Sequence, residues 1–184
     1  MPSARRVSVR EAFEEHGIEV VVYDNLSTGH KEAVRSELVV GDIRDRETLR
    51  RTFAARPFDA VMHFAAKALV GESVQHPLRY YDVNVGGTAT LLSEMQRADV
   101  GHFVFSSTCA VYGAPDYLPL DEGHPKRPVS PYGDSKLMVD CMGCGSAAVR
   151  AIIMVVRQGW VWSPNCGFRI SPRARGKKKE KRST

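Results

Sequence analysis

The chain alternates short, nearly continuous apolar runs with longer stretches in which apolar residues recur every three or four positions. A continuous apolar run bounded by polar residues reads as a buried strand, and a three-to-four period reads as an amphipathic helix. Ile18 to Tyr23 (IEVVVY), Leu38 to Val40, Asp59 to Ala65 (DAVMHFA) and His102 to Ser107 (HFVFSS) are the expected strands. Arg46 to Ala55 and Asn84 to Ala98 are the expected helices, the second burying Leu91, Leu92 and Met95 on one face. Ser130-Pro131 marks a further helix start, because a serine hydroxyl can cap free amides and proline is tolerated in the first turn. This alternation predicts an α/β fold, a doubly wound parallel sheet with helices on both sides.

Beyond Cys141 the periodicity weakens, and one apolar stretch, Ala147 to Val156, could be strand or helix. The expected organisation is a main region over 1–140 with an atypical start over 1–10, a divergent segment over 141–170, and a basic disordered tail over 171–184. That tail holds seven Lys or Arg and one Glu, so the net charge of +5 is a property of the tail and the remainder is nearly neutral. Nucleic-acid binding is therefore not expected of the domain. No apolar run approaches the roughly 20 residues that span a bilayer, and the start of the chain shows no apolar leader, so a cytoplasmic protein is expected. Cys141 and Cys144 have metal-knuckle spacing, but no second pair completes four ligands, and no metal is expected.

The chemistry concentrates in Tyr132-Gly-Asp-Ser-Lys136. A spacing of four puts phenol and ammonium on one helix face. An ammonium beside a phenol favours the phenolate, which makes a general acid–base able to exchange a proton with a hydroxyl. Upstream, Thr108 follows a strand that ends Phe105-Ser106-Ser107, where ligands bind in open α/β sheets. Asp24-Asn25 could equally be a turn former, Asp42 a helix cap, and Phe64 and Ala65 are expected in the core with or without a ligand.

The segment FSSTCAVYG, then DE, then SPYGDSKLMV resembles the active-site region of extended short-chain dehydrogenases, the NAD-dependent sugar-nucleotide epimerases above all. VYDNLSTGH over 22–30, GDIR over 41–44, HFAA over 63–66, VGES over 70–73 and YYDVNVGGT over 80–88 continue the likeness, which covers about seven tenths of the chain. The resemblance implies a Rossmann-like fold and bound NAD. It implies Asp24 and Asn25 at the adenosine ribose, Asp42 and Ile43 at the adenine, Phe64, Ala65 and Ala66 near the pyrophosphate and nicotinamide ribose, and Asn84 and Ser106 on the cofactor side. It further implies that Tyr132 takes the proton of a sugar 4-hydroxyl, that Thr108 bonds the reacting oxygen, and that Lys136 holds the nicotinamide ribose. The implied reaction is interconversion of UDP-glucose and UDP-galactose through a 4-keto sugar, with a UDP-sugar as substrate and a homodimer as a possible assembly. Thr108 is followed by Cys109 and Ala110 where related dehydratases carry Asp-Glu, so no eliminating acid is available there.

Two departures stand beside the likeness. The glycine turn that cradles the pyrophosphate in the family is missing, since the first glycines are Gly17 and Gly29. Val7-Ser-Val9 is too short for the family's central first strand, whose neighbours are then left without a partner. After Val139 nothing resembles the family's sugar-binding domain. The expectation is a chain truncated or frameshifted at both ends, acting as an epimerase, as another sugar-nucleotide epimerase or reductase, or as a non-catalytic NAD-binding remnant.

Overall fold

The computed structural model describes residues 16–145 and, as backbone, 150–155. The expectations about Val7 to Val9, about most of the segment after Cys144 and about the basic tail lie outside the described residues. Two short strands, β1 (Val21–Asp24) and β2 (Glu37–Val40), pair in parallel from Val21 opposite Glu37 to Asp24 opposite Val40. β3 (Val61–His63), β4 (His102–Ser107) and β5 (Arg150–Val155) form a second parallel sheet in the order β3-β4-β5. Among the described strands, none pairs with the other edge of β1 or of β3. β1 starts three residues later than its apolar run because β2 offers no partner before Glu37. β3 ends at His63, so Phe64 and Ala65 leave the sheet.

Among the described residues, five α-helices connect the strands: α1 (Arg46–Ala55), α2 (Val70–Gln75), α3 (Pro77–Tyr80), α4 (Gly87–Arg97) and α5 (Pro131–Gly145). Asp45 caps α1, accepting from the amides of Glu47 and Thr48 at 3.1 Å each. α4 stops where Asp99 turns left-handed at φ 57°, which lets the Val100 amide bond the Met95 carbonyl at 2.9 Å. α3 runs into α4 through a π-helical stretch, Tyr81–Gly86, so regular α geometry begins three residues later than the apolar spacing predicts. α5 continues past the boundary expected near Asp140, and the apolar stretch after it supplies β5, in register from His102 opposite Arg150 to Ser107 opposite Val155. The regular fold therefore extends further than the weakening periodicity suggests. Cys141 and Cys144 fall in the last turns of α5, where the backbone hydrogen bonds tolerate non-periodic side chains once the face bearing Val139 is buried.

Phe103 and Phe105, two apart on β4, point to one face and meet Leu49 of α1, Leu91 and Met95 of α4, and Val139 of α5. Tyr23, Phe53, Phe58, Val61 and Leu92 pack around this cluster, so the core draws on both sheets. Glu94 of α4 is 1% exposed and takes Arg46 at 2.7 Å and Arg50 at 3.3 Å, which pins α1 to α4.

His63 ends β3 beneath this core, stacked on Phe105 at 5.6 Å between ring centroids. Thr88 donates its hydroxyl proton to the Asn84 carbonyl at 2.5 Å, so it can only accept from His63 Nε2 at 2.8 Å. The ring is thus a neutral Nε2–H tautomer, and burial, then the charge of Lys136, push its pKa down to about 3. Because the folded value lies below the unfolded one, the stability that His63 contributes is present above about pH 6.5 and is lost as pH falls toward 3. Urea melts from pH 7 downward are expected to lose about 1.4 kcal/mol per pH unit below 6.5. In His63→Asn that slope should flatten.

Candidate functional site

The residues singled out in the sequence gather in two clusters at the C-terminal ends of the strands. The first is polar. Asp24 closes β1, and its Oδ1 accepts from the Leu26 amide at 2.6 Å, while no described partner takes Oδ2. Asn25 closes a similar turn through Ser27 and donates from Nδ2 to Asp42 Oδ2 at 3.2 Å. Both residues are turn formers, and the same geometry leaves a carboxylate oxygen at the strand end. Asp42 does not cap a helix, a role that Asp45 takes. Instead Asp42 clasps Arg44 through Nε at 2.9 Å and Nη2 at 2.8 Å, and the guanidinium holds its carboxyl well below the usual range. The Ile43 side chain is buried against Gly87, where a Cβ would come within 2.5 Å of its Cδ1. Only the backbone and a sliver of Ile43 are left for a ligand.

The second cluster surrounds α5. Ser130 starts that helix as expected, its hydroxyl accepting from the Gly133 amide at 3.2 Å. Gly133 lies so close to the turn Cys109–Val111 that a Cβ would sit 2.6 Å from the Ala110 carbonyl oxygen. This approach seats the first turn of α5, and with it Tyr132, on the turn that Thr108 opens by accepting from the Ala110 amide at 3.2 Å. The Tyr132 ring meets the edge of Tyr80, 6.4 Å between centroids. Tyr80 is itself fully buried, its hydroxyl held by the Leu69 amide and carbonyl.

Lys136 is 4% exposed. Its Nζ donates to the Ser106 carbonyl at 2.8 Å and lies 4.4 Å from the centre of the Phe105 ring. Burial lowers its pKa to about 8, against the opposing pull of Asp140. An ammonium has three donors, so the bond to Ser106 leaves capacity for a ligand hydroxyl.

Asn84 joins the pieces. Its side chain accepts from the Lys67 amide at 2.8 Å and donates to the Lys67 carbonyl and to Ser135 Oγ, both at 3.0 Å. It therefore locks the loop after Ala66 to the helix that carries the couple. Phe64 and Ala65 are not core, against expectation: Phe64 is 51% exposed and Ala65 is exposed. The reason is that β3 ends at His63 and its core contacts end with it. Arg44 reaches Asp82 at 2.6 Å. That ion pair and the Ile43–Gly87 contact tie the polar cluster to the same stretch of helix that presents Asn84.

Sequence reasoning did not single out Tyr80, Ser135, Ser107 or Asp140. Asp140 was legible in principle, since it lies four positions after Lys136 on one helix face. Tyr80 and Ser135 act through long-range packing that spacing alone does not reveal. Among the described residues no cluster of ligating side chains could hold a metal, and no helix is long and apolar enough to cross a membrane.

A parallel α/β fold with a tyrosine–lysine couple beside a hydroxyl-bearing strand end defines a class of nucleotide-dependent enzymes. Residues 8–157 match the NAD dependent epimerase/dehydratase family, and the chain belongs to that family. It is 49% identical over 147 residues to UDP-glucose 4-epimerase of Streptomyces lividans, covering 78% of this chain and 45% of that protein. The corresponding enzyme of Rhizobium meliloti is 53% identical over 121 residues, covering 65% of this chain and 37% of that protein. The crystal structure of UDP-glucose 4-epimerase from Brucella ovis in complex with NAD superposes with a TM-score of 0.76 at 43% identity, covering 78% of this chain and 45% of that one. The chain thus spans less than half the length of the curated relatives it matches.

Folding with a charged Lys136 carries a cost, since its pKa falls from 10.5 to about 8, equivalent to about 3 kcal/mol. A depressed lysine makes the fold more stable as pH rises from about 8 to 10.5, because the unfolded chain binds the extra proton. Lys136→Met removes the buried charge, but with it the bond to Ser106, the contact with the Phe105 ring and the cation that faces Asp140. In chemical denaturation the variant should therefore lack the wild type's rise of about 3 kcal/mol between pH 8 and pH 10.5, so that it compares better with the wild type at pH 7 than at pH 10.

Proposed function

We propose that this chain is the NAD-binding and catalytic portion of a UDP-glucose 4-epimerase, acting on UDP-glucose and UDP-galactose in the cytoplasm as part of galactose metabolism. One observation carries the reading: Tyr132 and Lys136 lie one turn apart on α5, whose first turn is seated on the Thr108 turn while Lys136 is anchored to Ser106.

The residues fit NAD in most of its parts. The uncommitted carboxylate oxygen of Asp24 suits ribose hydroxyls, and the turn at Asp42 and Ile43 suits the adenine. Phe64, a large apolar side chain uncovered at the end of β3, suits a ligand crossing that strand end with Ala65 and Ala66. The pyrophosphate has no glycine turn to hold it among the described residues. When bound, NAD supplies reversible two-electron oxidation of the sugar at C4. The chain's residues supply the proton chemistry. Tyr132 takes and returns the proton of the 4-hydroxyl, Thr108 hydrogen-bonds that oxygen, and Lys136 holds the nicotinamide ribose. Cys109 and Ala110 offer no acid to expel water, which supports epimerisation over dehydration. A homodimer through the α4 and α5 faces belongs to the same reading, with Met138 of α5 41% exposed.

The purified chain is expected to carry NAD, read by its absorbance, and to convert UDP-galactose. Tyr132→Phe should keep the NAD and lower conversion by about 10²- to 10⁴-fold. Retained NAD without conversion in the wild type would favour a non-catalytic NAD-binding protein. Neither NAD nor conversion would refute the reading for this chain.

A further inference from the structure

Asp140 is 3% exposed, a depth at which an aspartate needs a partner. Its Oδ2 accepts from Ser107 Oγ at 3.1 Å, and Lys126 Nζ stands 3.8 Å from the same oxygen. Its Oδ1 has no hydrogen-bond partner among the described residues. Burial raises its pKa, opposed by Ser107, Lys126 and Lys136. The residue four positions earlier, on the same helix face, is the buried Lys136. Ser107 follows Ser106, whose carbonyl takes the lysine ammonium, and precedes Thr108. Two adjacent residues of β4 are thus stitched to two residues one turn apart on α5, immediately before the hydroxyl of the candidate site.

We propose that Asp140 is a positioning residue for Lys136: bound to Ser107, it fixes one turn of α5 against the end of β4 and supplies the countercharge that keeps the buried lysine an ammonium. The proposal rests on reading Lys136 as part of the catalytic couple. The other groups around that lysine do not supply this charge. His63 on β3 is neutral and buried, and the charge of Lys136 itself disfavours its protonation. On α5, Tyr132 packs its ring against Tyr80, and Asp134 is engaged by Tyr81 at 2.8 Å. On β4 the partners are the Ser106 carbonyl and the Phe105 ring. In the adjoining loops, Lys126 repeats the positive sign, and Asp121 and Glu122 are exposed. Tyr112, beside the same carboxylate, has its pKa raised by burial and then by Asp140. Glu72 of α2 is committed to Arg79 and Tyr80.

The test is competitive labelling of the 184-residue chain with trace acetic anhydride from pH 6 to pH 11, read at Lys136 by mass spectrometry with the exposed Lys31 as reference. Asp140→Asn keeps the shape and an oxygen for Ser107 but removes the charge. Its Lys136 midpoint should fall by about one pH unit below that of the wild type, so that Lys136 labels about fivefold faster at pH 7 and close to tenfold faster at pH 6. Ser107→Ala, which keeps the charge, should shift the midpoint by less than half as much. A folded Asp140→Asn chain with the wild-type midpoint overturns the proposal. If that variant does not fold, the reciprocal measurement decides. In Lys136→Met the Asp140 carboxyl, followed by carbon NMR, should titrate about one unit higher than in the wild type, and an unchanged titration overturns the proposal. Neither readout uses UDP-galactose conversion, so a failed epimerase assay leaves this test intact.

Discussion

An ammonium buried under a helix is the constraint around which the rest of this molecule is arranged. Lys136 cannot be solvated at 4% exposure, so the protein must replace water with fixed groups. It does so with a backbone oxygen, an aromatic face and a carboxylate at helical spacing. Each substitute comes from a regular element rather than a loop: Ser106 and Phe105 from β4, Asp140 from α5. Burial first, and that positive charge second, keep the His63 ring neutral, and its Nε2 bonds Thr88. Polar choices on β3, β4, α4 and α5 are therefore coupled through one side chain.

The helix that runs from Pro77 to Arg97 does the structural work of connecting the two clusters. Its π-helical stretch, Tyr81–Gly86, holds Asn84 at the loop that follows Ala66, and holds Asp82 within reach of Arg44. Extra residues per turn are found where a helix must re-aim side chains. Here that re-aiming serves both ends of the strand edge at once. Gly87, the next residue, lets Ile43 press against the helix axis.

Much of this was legible in the sequence. β4 and α1 fall where their apolar patterns put them, because both are buried on one regular face and their ends carry strong signals, Asp45 for α1 and Ser107-Thr108 for β4. The ends of β1 and β3 were harder. Their apolar runs exceed the paired segments, since pairing ends where the neighbour ends and hydrophobicity does not report that. Phe64 misled for the same reason: an aromatic at a strand end reads as core until the strand is seen to stop one residue earlier. Tyr132 and Lys136 stood out because a spacing of four puts them on one helix face, and Thr108 because it follows a strand end. Asn84 needed the tertiary fold to show what it bonds, and Asp140 was obscured by the fading periodicity around it.

The Arg44 guanidinium is shared between two attachments: it clasps Asp42 just after β2 and reaches Asp82 in the π-helical stretch. Losing that one side chain would release the turn and the helix from each other in a single step, while Tyr23, Leu49, Phe53, Phe58 and Val61 kept their apolar contacts below.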